Sequence, residues 1–385
     1  MNNVEDNTAS NNRLRFAGRV ILKALMLFLL LNFVFAIWYP LPTLAKFSAY
    51  NVLFPGRQRL PYGDNPSKAY NLSLYNLDAM FASHELAGRV KPDDEFRVLV
   101  IGDSASWGFL LEPDQTLAAY INDSRAMLPD GRRVRAYNLG YPVMSLTKDL
   151  LILERAMQYE PDMIVWPLTL ESFPYDKQLF PPLLQNNLRA VRELIQTHDL
   201  SLDTKDANFE ELSWWKRTIV GGRRQLADLL RLQLYGVLWA ATGIDQDIPE
   251  TYTLRQEDLE ADRGFHNLQP PHLQASDLAL EILSAGVRLA GDTPVLLVNE
   301  PMFISQGQNS DIRYNFYYPR WAYDDYRRIM SEESQRKNWQ YLDLWNAVPG
   351  SEFTNSAVHM TPDGTRLYAS QVLRAILDVA KSSPK

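Results

Sequence analysis

The sequence predicts an α/β protein, a parallel sheet covered by helices on both faces, carried behind one N-terminal membrane-spanning helix. Three observations predict it. From Phe96 onward, short apolar runs alternate with amphipathic helical stretches. The first run, 97–101, is rich in β-branched residues and ends on the small polar turn Gly102-Asp103-Ser104. Residues 20–39 are apolar apart from Lys23 and Asn32. Strands buried on both faces read as continuous apolar runs, and their alternation with helices implies a parallel, three-layer sheet.

The elements follow in order. Twenty residues at ~1.5 Å each span roughly 30 Å, the hydrocarbon thickness of a bilayer. Arg13, Arg15, Arg19 and Lys23 precede or enter this run, and the next cation is Lys46. The positive-inside rule therefore puts residues 1–19 in the cytoplasm and everything after Tyr39 outside. A cleaved signal peptide ending near Thr43-Leu44-Ala45 is the competing reading, but the apolar run is longer than a signal core. Residues 40–95 form a juxtamembrane segment, broken early by prolines, with a short helix expected over 74–86.

The main domain, 96–385, is expected to hold strands at 97–101, 134–139, 163–166, 295–299 and 341–344. Helices are expected at 115–128, 145–159, 277–290, 321–336 and 362–380. Between about 173 and 274 the rhythm stops, which reads as a largely helical insertion. Its stretch 226–241 is apolar but carries Asp228, Arg231 and Gln233. That pattern argues against a second span and suits an amphipathic core helix. The pairing of Trp214 and Trp215 with Lys216 and Arg217 also suits a lid or a helix lying on a membrane surface.

Composition excludes several functions. Of 385 residues, 46% are hydrophobic and 22% charged, so a large core is within reach. A net charge of −7 gives no basic face for nucleic acid. With no cysteine, there is no thiol nucleophile, thiolate metal site or disulfide. There is no His-Glu-x-x-His motif and no close histidine cluster, so neither a metal nor a cofactor is expected.

Of the five histidines, His84, His198, His266, His272 and His359, the last stands in a loop just before the closing helix. A serine hydroxyl is a poor nucleophile until a base takes its proton, and histidine is the usual base near neutral pH. Ser104 at the carboxyl end of a strand is where open α/β sheets place their sites, although Asp103 and Ser104 also suit a helix cap.

Gly102-Asp103-Ser104 through Gly108, Asn138-Leu139-Gly140, and His359-Met360-Thr361-Pro362-Asp363-Gly364 together resemble the sequence blocks of SGNH (GDSL-type) hydrolases. The resemblance covers roughly residues 96–380 without the insertion, and implies a flavodoxin-like three-layer α/β/α fold. It implies Ser104 as nucleophile, His359 as general base, and the N–H groups of Ser104 and Gly140 as oxyanion donors. Two departures stand out. The family commonly has an Asp three residues before its histidine, where this chain has Ser356; Asn355, Glu352 and Asp363 are the neighbouring candidates, and a Ser–His dyad with a backbone carbonyl orienting the imidazole is another arrangement. The family's third block supplies an Asn to the oxyanion, where this chain has Glu171 or its neighbours, with Thr169 as a substitute donor. Asn299 and Glu300 end the fourth strand and read as strand-end capping or as site residues.

The expected function is a serine esterase or O-acyltransferase acting on an acyl ester of a cell-envelope glycan or lipid, alongside envelope-polysaccharide modification partners. The alternative is a catalytically degenerate member that binds or helps assemble envelope polysaccharide.

Overall fold

The computed structural model describes residues 2–63, 72, 74–203, 205 and 212–382. Residues 64–71 and 73 of the juxtamembrane segment, and 204 and 206–211 of the insertion, lie outside the described residues. Five parallel strands form one sheet: β1 (Glu95–Val100), β2 (Arg133–Asn138), β3 (Met163–Leu168), β4 (Val295–Asn299) and β5 (Gln340–Asp343). Their order is β2-β1-β3-β4-β5. The chain leaves β1 for β2 on one side and returns to β3 on the other. This reversal opens a crevice at the carboxyl ends of β1 and β3.

β1, β3 and β4 are buried along their whole length, which is why they read as unbroken apolar runs. β3 runs two residues past the expected Trp166, through Pro167. The Ile164 N–H donates to Pro294 O, at the start of β4, so alternation turns the Pro167 nitrogen toward β1. The last β1–β3 ladder pair is Val100↔Val165. The missing N–H of Pro167 therefore falls beyond the ladder, where a proline is tolerated.

Side chains of successive strand residues enter opposite layers. Leu99, Ile101, Trp166 and Leu297 pack under the helices Leu146–Ala156, Leu280–Leu289 and Arg320–Lys337. Val98, Val100, Val165 and Val298 pack under Leu117–Asp123 and Pro362–Ser382. At Gly286 a Cβ would collide with the Trp166 ring, so only glycine lets that helix settle on the indole. The helix expected over 115–128 is shorter, because Thr116 caps it at Leu117 and a left-handed Arg125 follows its end.

The insertion is helical over Leu188–His198 and Arg223–Thr242. Residues 243–274 carry no helix. Gly243 turns left-handed at φ +72° and ends the long helix, and Pro249, Pro270 and Pro271 keep the next thirty or so residues from resuming it.

The N-terminal helix is Asn2–Trp38. Its stretch Arg13–Trp38 is long and apolar enough to cross a membrane, with a mean hydropathy of 2.6 and only 11% of the most apolar window buried by protein. The chain then turns back under the sheet's carboxyl edge. The Arg59 guanidinium is fully buried and pairs with Asp245, while Leu60 O accepts from Trp107 Nε1 at 2.8 Å. The juxtamembrane segment therefore supports the Ser104 turn directly.

Candidate active site

Ser104 opens a four-residue helix, Ser104–Trp107, immediately beyond the carboxyl end of β1. Gly102 makes the turn at φ +137°, where a Cβ would meet Ser106 Oγ. Asp103 caps the helix by accepting from the Ala105 N–H at 2.8 Å, and Gly108 ends it in the left-handed region at φ +90°. The capping and nucleophile readings of this turn are therefore compatible: Asp103 caps, and Ser104 faces the crevice.

His359 reaches this serine from 255 residues away in sequence. Its Nε2 lies 2.8 Å from Ser104 Oγ, and its Nδ1 lies 2.9 Å from Asn355 Oδ1. With the proton on Nδ1 donated to the amide oxygen, Nε2 is left to accept from the serine hydroxyl. Phe109 stacks on the imidazole, with ring centroids 4.8 Å apart. Burial pushes the His359 pKa down to about 4, and no carboxylate offsets it. The ring is therefore neutral at physiological pH, free to take a proton but a weak base for doing so. Asn355 occupies the orienting role that the missing Asp left open. Glu352 is instead bonded by the Thr361 hydroxyl, and Asp363 pairs with Arg366.

Ser104, His359, Asn355 and Ser356 line a cleft of about 360 Å³, whose aromatic walls include Tyr62, Phe109 and Tyr317. That is the lower end of the size range of small-molecule sites.

The oxyanion donors expected from sequence differ in outcome. The Ser104 N–H lies in the first turn of its helix, where N–H groups have no partner within the helix. Gly140 does sit against the Ser104 turn, since a Cβ there would lie 2.5 Å from Trp107 N. Its N–H, however, is taken by Asn138 Oδ1 at 3.0 Å. Thr169 is not at the cleft. It is fully buried, and its hydroxyl pairs with that of Tyr318 at 2.9 Å. Extended backbone at the end of β3 turns this side chain into the layer beneath the sheet edge. Glu171 is held by Lys177 at 2.9 Å and His266 at 3.2 Å, so it is drawn away from an oxyanion.

The sequence reading named Glu300 but missed Lys148 and Asp149, which lie beneath the Ser104 turn. Lys148 is fully buried, and its ammonium donates to Gly102 O and Tyr141 O, both at 2.6 Å, while pairing with Asp149 at 2.7 Å. It thereby ties the turn before Ser104 to the turn after Gly140. Asp149 also accepts from Trp166 Nε1. Glu300 is buried beside Asp103. Burial, with the adjacent Asp103 charge, pushes its carboxyl well above the usual range. Lys148 sits on the buried face of a helix, and a lysine there is the available signal, since lysine is almost never fully buried unless paired. Asn299 is a strand-end residue: its amide donates to Asp343 and accepts from Tyr323 and Tyr326.

Of the other histidines, His84 is fully buried, with Nε2 between Gln58 O and Asn138 O and Nδ1 accepting from the Leu86 N–H. His272 pairs with Asp325 at the surface. No cluster of metal-ligating side chains occurs among the described residues.

No family model matches the chain, and no curated protein matches it in sequence. Solved structures do. A psychrotrophic esterase, EstA from Pseudoalteromonas sp., aligns over 74% of this chain and 100% of its own, at 11% identity and a TM-score of 0.35. Axe2, an acetylxylan esterase from Geobacillus stearothermophilus, aligns over 75% and 96% at 11% identity and 0.34. A member of the lipolytic G-D-S-L family from Veillonella parvula aligns over 72% and 96% at 10% identity and 0.34. Likeness at this level says nothing about substrate, and the fold assignment rests on the sheet itself. With its three sequence blocks, its strand order and the serine–histidine contact taken together, the chain resembles the SGNH (GDSL-type) hydrolases.

Proposed function

We propose that the chain is a membrane-anchored serine esterase or O-acyltransferase whose catalytic domain lies outside the cytoplasm. The observation that carries this reading is the 2.8 Å contact between Ser104 Oγ and a neutral His359 whose far nitrogen is fixed by Asn355.

In the proposed reaction Ser104 Oγ attacks an ester carbonyl while its proton passes to His359 Nε2. The tetrahedral oxyanion is met by the Ser104 N–H. The alcohol then leaves with the proton from His359, and an acyl-Ser104 ester remains. A water or sugar hydroxyl next gives its proton to His359 and attacks that ester, regenerating the serine. Water makes the chain an esterase, and a sugar hydroxyl makes it an O-acyltransferase. Asn355 in place of a carboxylate gives orientation without a charge to stabilise the imidazolium, which suits a slow enzyme. An oxyanion site short of one donor costs ~10²–10³ in turnover, in the same direction. The favoured substrate is an acyl ester on an envelope glycan or lipid. The domain's boundaries, 96–385 with the insertion at about 173–274, are part of this reading.

The occupied Gly140 N–H favours the second reading, an acyl-glycan binder that has lost turnover. The two are separated by exposing the full chain, Ser104→Ala and His359→Ala to a serine-reactive fluorophosphonate and to p-nitrophenyl acetate. Labelling and turnover confined to the unsubstituted chain are expected. A folded chain that neither labels nor turns over would sink the enzyme reading and leave the binder.

A further inference from the structure

The Arg223–Thr242 helix gives only one face to the core. It packs through Leu229, Leu232, Gly236 and Trp239 against the segment just past the anchor. Tyr50 lies directly on Gly236, and Gln233 bridges Phe47 O and the Ala49 N–H. Its other face is open and apolar: Leu234 is 70% exposed and Leu238 58%, with Leu230 and Val237 beside them. Soluble surfaces rarely carry such a contiguous patch unless something covers it.

Three observations say what covers it. First, the loop leading into this helix sits on the anchor itself. Asn32 lies in the apolar run six residues, about 9 Å, before Trp38. Its amide donates to Phe28 O and accepts from the Val220 N–H at 3.2 Å. A polar side chain at membrane depth needs such a partner, and Val220 supplies it. Trp214 meets Phe33, with ring centroids 6.3 Å apart, and the Arg217 guanidinium lies over Tyr39. Second, the loop and helix carry Lys216, Arg217, Arg223, Arg224 and Arg231 against the single acid Asp228 between 214 and 231, in a chain whose net charge is −7. A basic, tryptophan-bearing segment with an apolar face suits anionic headgroups. Third, the helix begins where the anchor ends: a Cβ on its capping residue Gly222 would lie 3.5 Å from Leu41 Cδ1, three residues past Trp38.

We propose that the Arg223–Thr242 helix, with Trp214 and Trp215, lies in the headgroup layer of an anionic bilayer beside the outer end of the anchor. The inference rests on reading residues 20–39 as that anchor. Its consequence is for the cleft. Just past the helix, Gln246 donates to Gly108 O and Leu111 O and accepts from the Leu110 N–H. Asp245 holds Arg59, which donates to the same two carbonyls. These contacts bracket Phe109, which stacks on His359. The interfacial helix thus fixes the height of the Ser104 cleft above the membrane and favours an ester presented at its surface.

The chain has no cysteine, so single cysteines report cleanly. Full-length Leu234→Cys, Leu238→Cys, Leu29→Cys and Leu367→Cys would each carry an environment-sensitive nitrobenzoxadiazole label. Each would be reconstituted in vesicles of two parts phosphatidylcholine to one part phosphatidylglycerol, with nitroxide-bearing lipids. Labels at 234 and 238 are expected to shift to the blue and lose emission to a headgroup-level nitroxide, while the label at 367, on the closing helix, does neither. A label at 234 that stays as water-exposed as that at 367 overturns the inference. So does one that shifts to the blue without quenching, because protein then covers the patch. The label at 29 separates the failures. If a mid-bilayer nitroxide quenches it while 234 stays unquenched, only this inference falls; if 29 is unquenched, the anchor reading falls and takes the inference with it.

Discussion

His359 and His266 are each held at both ring nitrogens, yet their pKa values are pushed in opposite directions. Each imidazole makes two hydrogen bonds, one per ring nitrogen. His359 lies between Asn355 and Ser104, and His266 lies between Asp176 at 2.9 Å and Glu171 at 3.2 Å. The partners of His359 are neutral and its surroundings dry, so burial lowers its pKa to about 4. The partners of His266 are carboxylates. The bond to Glu171 raises its pKa against a smaller opposing effect of burial. Two carboxylate acceptors favour the imidazolium, which donates from both nitrogens and has no lone pair to offer. Two hydrogen bonds position a histidine, but the charge of the partners decides whether it can act as a base. His266 clamps the insertion to the end of β3, and His359 is left to receive a proton.

The largest test of this contrast is the pair of alanine variants. His359→Ala is expected to lose ~10²–10⁴-fold in p-nitrophenyl acetate turnover, and His266→Ala to stay within about threefold, the scale of a surface clamp. A comparable loss in both would break the distinction. Next is Lys148→Met, which removes the tie between the Gly102 and Tyr141 turns. A displacement of about 1 Å at a reacting group costs ~10², so kcat should fall by about that factor with KM little changed, and Lys148→Arg should recover part of it. An unchanged kcat would show that the buried ammonium serves folding alone.

The third test concerns charge. Asn355→Asp places a carboxylate where the neutral amide stands. The acidic limb of kcat/KM, expected near the His359 value of about 4, should move up by roughly one to two pH units. A limb that does not move would mean that Asn355 is not the imidazole's partner during turnover. The smallest effect is Glu171→Gln. The folded-state pKa of His266 is raised above its ordinary 6.5. The stabilisation from the clamp is therefore full below pH 6.5 and is lost as pH rises through the raised value. The variant should lower the His266 titration midpoint, followed by proton NMR, and flatten that alkaline loss of stability.

Much of the frame was legible in the chain. The runs at 97–101 and 295–299 announced buried strands because a strand covered on both faces has no polar side to show. The turn after β1 was legible because Gly102 and Ser104 are types that a sharp strand-to-helix turn selects. The site was legible only where short motifs carried it. Ser104 and His359 stood out, and the structure brings them together. Thr169 was a reasonable candidate by position, yet its side chain turns inward to Tyr318, a residue 149 positions away whose presence no local pattern reveals. Lys148 escaped notice because a helical lysine looks like any surface lysine until its face is known.

The sequence alone determined the apolar N-terminal helix, the alternation that makes a parallel sheet, and the residue types at the serine turn and the final loop. These depend on local period and on backbone freedom, which neighbouring residues set. The tertiary structure decided which histidine is neutral, which amide orients it, and that the Gly140 N–H is already engaged. It also decided that the Arg223–Thr242 helix turns an apolar face outward beside the N-terminal helix. Each of these depends on contacts between residues that are distant in sequence, where burial and partner charge are properties of the packed chain and have no local signature.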